Sequence, residues 1–223
     1  MKILLIGHGR MGRLIEQHAG DHGCTIAGIV ELGEKTIGAT DFDVAIDFST
    51  ADAVLENVTA VTATKRNIVI GTTGWQAHEA AVKAVATASG IGVLASANFS
   101  LGLNAFLRVV EIASQQFAAH ADYGAWIHET HHIKKLDAPS GTAKLLQSSM
   151  TAAGFPRAID VSSTRAGAIP GTHTVGFDGP ADTITLTHTV RDRAVFAHGA
   201  LEAAKWLNGR SGWFSMQDVL ARD

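Results

Sequence analysis

The residues best suited to chemistry crowd into one stretch, Glu129-Thr130-His131-His132-Ile133-Lys134-Lys135-Leu136-Asp137-Ala138-Pro139-Ser140-Gly141-Thr142-Ala143. Two adjacent imidazoles supply a proton donor or acceptor near neutral pH, and two ammonium groups beside them supply fixed positive charge. Pro139 stops the preceding element, and Ser140 is suited to cap a helix running over 141–153. The free N–H groups of that helix's first turn, backed by its dipole, form a site for an anion. An anionic small molecule that must gain or lose a proton is the simplest guest.

A second pattern overlaps the first. His128-Glu129-Thr130-His131-His132 matches H-E-x-x-H, the zinc hydrolase signature, which needs a helix that brings both histidines to one face. Pro139 and the Asp-Ala-Pro-Ser-Gly cluster follow closely, and Trp126-Ile127 suits a strand as well as a helix. A zinc hydrolase built on His128, Glu129 and His132 is therefore the lesser alternative.

The elements that must position this stretch begin with a strand of unbroken apolar residues, 2–6, of the kind buried on both faces. Gly7-His8-Gly9-Arg10-Met11-Gly12 follows at once and leads into a helix over 14–19. Strand, G-x-G-x-x-G and helix are the context of the dinucleotide fingerprint. In it Gly7 makes the tight turn, Gly9 admits the pyrophosphate and Gly12 lets helix and strand pack closely. The next strand, 25–30, ends in Glu31, placed to accept hydrogen bonds from the adenosine ribose, which favours NAD over NADP. Arg10 and Lys35 are candidate partners for a 2′-phosphate. Strand-like runs at 43–48, 67–70 and 91–95 alternate with helical runs at 51–64 and 76–88, which argues a parallel, doubly wound α/β sheet. The loops Gly71-Thr72-Thr73-Gly74 and Ser96-Ala97-Asn98-Phe99-Ser100 sit at carboxyl ends of strands, where such sheets bind ligands.

After a helix at 101–117 the pattern turns mostly to strands, 121–130, 159–165, 172–177 and 183–190, broken by the helix at 141–153. A second domain is therefore expected over 101–194. A helix at 195–207 returns to the first domain, which comprises 1–100 plus 195–223; the tail offers no pattern. His8, His18, His22, His78 and His120 are scattered singly, and Trp126 and Phe117 read as core. With 46% hydrophobic and 17% charged residues the chain can fill a core. A net charge of −3 without a Lys/Arg block argues against nucleic acid as the main partner. A single cysteine, Cys24, fits a reducing, cytoplasmic setting. No apolar run approaches the ~18–20 residues of a membrane span.

With these pieces placed, the chain resembles the dihydrodipicolinate reductases nearly end to end. The resemblance rests on Gly-Arg-Met-Gly (9–12), Gly-Thr-Thr-Gly (71–74) and Ala-Asn-Phe-Ser-Leu-Gly-Leu-Asn (97–104). It rests above all on Glu-x-His-His-x-x-Lys-x-Asp-Ala-Pro-Ser-Gly-Thr-Ala (129–143). Arg165-Ala166-Gly167 and Gly171-Thr172-His173 fit the family's later loop. The resemblance implies a Rossmann-type nucleotide domain and a second α+β domain on an open mixed sheet, assembled as a homotetramer. It implies NADH and/or NADPH as cofactor, held by Gly7, His8, Gly9, Arg10, Met11, Glu31, Gly71, Thr72, Thr73, Ser96, Ala97, Asn98 and Phe99. The implied catalytic residues are His131, the general acid, and Lys135, which binds substrate and assists protonation. His132, Ser140, Gly141 and Thr142 are the implied grips on a cyclic dicarboxylate, and no metal is implied. Two departures stand out: the loop is G-x-G-R-M-G, one residue shorter than is common, and no Arg follows Glu31. The alternative to a reductase in this half of the argument is a non-catalytic NAD-sensing protein.

Overall fold

The structure, a computed structural model, describes residues 1–31, 34 and 37–221. Lys35, a candidate phosphate partner, lies outside the described residues. The chain divides into two compact units, residues 1–101 with 194–223, and residues 102–193.

The first unit is built on six parallel strands in the order β10-β5-β4-β3-β1-β2. They are β1 (Lys2–Ile6), β2 (Thr25–Val30), β3 (Val44–Asp47), β4 (Asn67–Ile70), β5 (Gly92–Ala95) and β10 (Gly212–Phe214). Side chains alternate across a strand, and here both sides are apolar. Ile3, Leu5, Val44 and Ile46 join Ile15 of α1 (Arg10–His18) and the alanine face of α6 (Ala194–Leu207). Leu4, Ile6, Ala45 and Ile68 join Val54, Val58 and Val61 of α2 (Val54–Ala63) and Val82 and Ala86 of α3 (Glu79–Ser89). A sheet covered on both faces explains why its strands read as continuous apolar runs.

Two helical stretches of the sequence open as 3₁₀ turns, at Ala51–Ala53 and Gln76–His78, before α2 and α3 begin. The tail, patternless in sequence, adds an edge strand and α7 (Met216–Leu220). Asn67 ties that edge down. Its amide donates to the carbonyls of Leu207 (2.6 Å) and Arg210 (2.8 Å), and its oxygen accepts from Gly92 N–H at 2.7 Å.

The second unit follows α4 (Leu101–Ala118) with a mixed four-stranded sheet in the order β7-β6-β8-β9. Its strands are β6 (Gly124–His131), β7 (Ile159–Arg165), β8 (Thr172–Asp178) and β9 (Thr183–Thr189). β6 pairs parallel with β7, across α5 (Gly141–Ala152), and antiparallel with β8. One face is the core: Ala125, Ile127, Val175 and Phe177 against Leu103, Phe106, Leu107 and Val110 of α4 and Leu146 and Met150 of α5. The other face is polar. His128 hydrogen-bonds Ser162 at 2.8 Å, and Thr174 bonds Thr187 at 3.0 Å. Phe117 packs against the core as expected, whereas Trp126 does not belong to it. It points to the opposite face, half-buried over Gly176, whose missing Cβ makes room for the indole.

Candidate active site

The period-2 alternation of β6 decides which groups meet. Ala125, Ile127, Glu129 and His131 face inward and are buried, while Trp126, His128 and Thr130 face outward. This removes the metalloprotease geometry: His128 and Glu129 lie on opposite faces of a strand, and His132 falls beyond its end. The zinc hydrolase alternative fails for want of a helix.

Sheet register then assembles a cluster from residues far apart in sequence. Glu129 stands opposite Ser163 on β7 and His173 on β8, and His131 stands opposite Arg165. Glu129 is wholly buried, and one of its oxygens, Oε1, accepts three hydrogen bonds. They come from Ser140 N–H (2.9 Å), Ser163 Oγ (2.7 Å) and Arg165 Nη2 (2.8 Å). Burial pushes the Glu129 carboxyl up, but these bonds from Ser140, Arg165 and Ser163 outweigh it and hold the group at about 2. Oε2 faces the two imidazoles, with His131 Nδ1 at 2.9 Å and His173 Nε2 at 3.7 Å. The first of these contacts is short yet lies off the hydrogen-bonding direction, since neither atom has a hydrogen-bond partner.

Burial lowers the pKa of His131. The Glu129 carboxylate opposes that fall, while Lys135, Arg165 and His132 add to it. His173 is lowered to about 4, first by burial and then by His131. Both shifts favour the neutral imidazole. The other nitrogen of His131, Nε2, looks onto the space that a side chain at 171 would fill. A Cβ built there lies 3.0 Å from it.

Around this pair stand the expected anion-binding groups. Ser140 caps α5, its Oγ accepting from Ala143 N–H at 3.2 Å and lying 3.2 Å from His173 Nε2. Gly141 is exposed and Thr142 half-buried at the helix start, and His132 is half-buried at the head of the loop. Lys135 pairs with Asp137 at 2.7 Å. Arg165 is anchored from both ends, donating to the Asp137 (2.5 Å) and Thr164 (2.9 Å) carbonyls as well as to Glu129. Glu129, Arg165 and His173 take part in the cluster although sequence spacing gave them no role in it. An acid at an inward, otherwise apolar strand position was the available signal, because such a charge requires a partner.

In the first unit a cavity of about 760 Å³ is lined by Gly7, His8, Gly9, Arg13, Glu31, Phe48 and their neighbours. Gly7 adopts φ +89°, and a Cβ at Gly12 would strike the Gly7 carbonyl at 2.3 Å, so both glycines are needed by the turn. Gly9 caps α1 without a side chain, and a Cβ there would meet nothing within 4 Å. The first-turn N–H groups therefore open onto free space, as a bound pyrophosphate requires.

His8 reaches Glu16 at 2.7 Å and stands 3.9 Å from Glu31. Arg10 and Met11 belong to α1 but do not line this cavity, nor do Gly71, Thr72, Thr73, Ser96, Ala97, Asn98 or Phe99. Thr72 is buried and donates to Asp47 Oδ1 at 2.8 Å, and Phe99 is a core side chain against Phe48. Asp47, at the carboxyl end of β3, also accepts from Ser49 and Asn57 and so braces these loops.

Comparison with known proteins agrees with both halves. The family descriptions "Dihydrodipicolinate reductase, N-terminus" and "Dihydrodipicolinate reductase, C-terminus" match residues 1–99 and 102–220. The chain is 34% identical to the 4-hydroxy-tetrahydrodipicolinate reductase of Christiangramia forsetii, over 99% of this chain and 98% of that one. It is 37% identical to the enzyme of the same name from Methanoregula boonei, over 92% and 86%. The dipicolinate-bound dihydrodipicolinate reductase from Paenisporosarcina sp. TG-14 shares the fold, with a TM-score of 0.84 at 19% identity over 96% of this chain and 97% of that one. A probable dehydrogenase from Thermotoga maritima shares it more loosely, with a TM-score of 0.62 at 11% identity over 98% and 92%. The chain belongs to the dihydrodipicolinate reductase family.

Proposed function

We propose that this protein reduces 4-hydroxy-tetrahydrodipicolinate to tetrahydrodipicolinate with NADH or NADPH. One hydride and one proton are consumed, and one water is lost. The observation that carries the reading is the His131 cluster: a buried imidazole held between Glu129 and the bare edge of Gly171, beside a capped helix start and Lys135.

The nicotinamide cofactor supplies the hydride, and the fingerprint loop and Glu31 suit its pyrophosphate and ribose. His131 supplies the proton. Burial favours its neutral form, and a dicarboxylate bound beside it offsets the desolvation and favours the imidazolium. Substrate and proton therefore arrive together. Gly141 and Thr142 N–H groups and His132 suit one carboxylate. Lys135, steered by Asp137, suits the charge that develops on the ring.

Cofactor choice follows from charge. Glu31, Glu34 and Glu56 all line the nucleotide cavity, against Arg13 and His8. Three carboxylates repel a 2′-phosphate, so we expect NADH to be preferred over NADPH. The polar open face of the second sheet, rich in Thr, Ser and His128, supports assembly through that sheet into a homotetramer. Among the described residues no helix is long and apolar enough to cross a membrane.

Metal-free protein, supplied with NADH and the product of dihydrodipicolinate synthase, should oxidise NADH, and His131→Ala should lose about 10²–10⁴-fold in turnover. NADH affinity should hardly change. Binding without oxidation would leave the NAD-sensing alternative, and an active His131→Ala would remove the general-acid role.

A further inference from the structure

One oxygen of Glu129 is fully engaged and the other is not. Oε1 holds Ser140, Ser163 and Arg165, which fix the carboxylate in place, while Oε2 is buried without a hydrogen-bond partner. Nδ1 of His131 is in the same condition, 2.9 Å away, and both residues are more than nine-tenths buried. The third group, His173, brings Nε2, which also meets Ser140 Oγ at 3.2 Å, to 3.7 Å from that oxygen. One ligand atom from each residue lies within 4.8 Å of the other two.

Zinc takes histidine nitrogen and carboxylate oxygen at about 2.0–2.2 Å in a tetrahedron, which sets neighbouring ligand atoms ~3.4 Å apart. The 2.9 and 3.7 Å separations bracket that spacing. Two imidazoles and a carboxylate oriented by hydrogen bonds on its far oxygen are a donor set for a divalent transition ion, outer shell included. The nearest fixed cation, Arg165, sits on Oε1 rather than Oε2, and Lys135 is drawn off by Asp137.

We propose that Glu129, His131 and His173 form a binding site for Zn²⁺ or a similar divalent ion, and that the ion acts as a reversible inhibitor. It differs from the H-E-x-x-H pattern, whose histidines take no part. With the ion bound, His131 is tied through Nδ1 to a positive centre and cannot serve as a proton donor. That consequence for turnover rests on the reductase reading; the binding itself does not.

The test is equilibrium dialysis of chelator-stripped, untagged protein against Zn²⁺, with the metal counted per chain, and a parallel Zn²⁺ titration of NADH oxidation. One ion per chain is expected. Affinity should fall by at least about tenfold in both His131→Gln and His173→Gln, and remain unchanged in His128→Ala and in His198→Gln. The last variant controls for the separate His22–His198 pair, whose nitrogens lie 2.8 Å apart. A melting curve for each variant confirms that it folds, and two ligand variants keep the test intact if one does not. Absence of bound zinc, or binding that survives both ligand variants, overturns the site. Zinc bound as predicted while NADH oxidation continues undiminished overturns the inhibition and leaves the reductase reading standing.

Discussion

Replacing Glu129 by Gln isolates what its charge does. The amide is the same size and its oxygen can still accept from Ser140 and Ser163, so the hydrogen-bond pattern survives while the anion disappears. Arg165 then keeps the carbonyls of Asp137 and Thr164 but loses its counter-charge in a site where its side chain is 17% exposed and Glu129 is 0% exposed. Breaking a buried pair from one side costs about 3–5 kcal/mol. The surviving carbonyl partners place this one near the lower end, about 3 kcal/mol. For a chain of this size that lowers the melting temperature by roughly 6–12 °C.

The substitution also removes the one influence that raises the pKa of His131, leaving burial and the cations. A general acid works in its protonated form, so kcat/KM falls as pH rises through its pKa. In Glu129→Gln that fall should begin at lower pH than in the parent. Differential scanning calorimetry and a pH profile of NADH oxidation measure the two effects. A melting point within about 1 °C of the parent, together with an unmoved profile, would refute the assignment of Glu129 as the group that holds Arg165 and His131.

Other expectations follow from the same cluster. Gly171→Ala puts a methyl 3.0 Å from His131 Nε2 at φ +153°, so the imidazole must move; a displacement near 1 Å should lower kcat/KM by about 100-fold, and undiminished turnover would show that Nε2 does not face the reaction. Acid stability has a defined window. The folded protein leaves His173 unprotonated down to about 4, whereas the unfolded chain protonates it near 6.5. Its contribution is whole above pH 6.5 and is lost as pH falls to 4, by up to about 3 kcal/mol. Urea titrations across that range should show the loss, and His173→Gln should flatten it. Glu129 adds a second loss at lower pH, from its ordinary 4.5 down to about 2, by the same sign argument.

The nucleotide half of the molecule was legible because its signals are local. Apolar strands, Gly7-x-Gly9-x-x-Gly12 and a following helix are written within twenty residues, and Gly7 and Gly12 each answer to a nearby atom, such as the Gly7 carbonyl under Gly12. The edge strand Gly212–Phe214 escaped for the opposite reason. Three residues carry no period, and what fixes them is Asn67, far away in the chain. The Phe99 loop shows a further limit. Its place at a strand end was readable, but that its ring would fill the core against Phe48 depends on packing that no short pattern records.

The catalytic stretch divides along the same line. His131, Lys135 and the Ser140 cap are visible as neighbours in sequence, and the loop of residues 132–140 between β6 and α5 carries the last two. Glu129, Arg165 and His173 come from three strands and meet only because β6 pairs parallel with β7 and antiparallel with β8 in one register. A slip of one residue in either pairing would turn a partner to the polar face. The zinc-like string fails because it counts helical spacing along a chain that runs as a strand. Read with a period of two, the same residues separate into an outer His128 and Thr130 and an inner Glu129 and His131. The inner carboxylate, buried at 0% exposure in an apolar face, then calls for cations and donors from other strands. Arg165 and the Ser140–Ser163 donors satisfy one oxygen, and the other stands 2.9 Å from His131 Nδ1. The surroundings of His131 are therefore set by sheet register as much as by the loop that follows it.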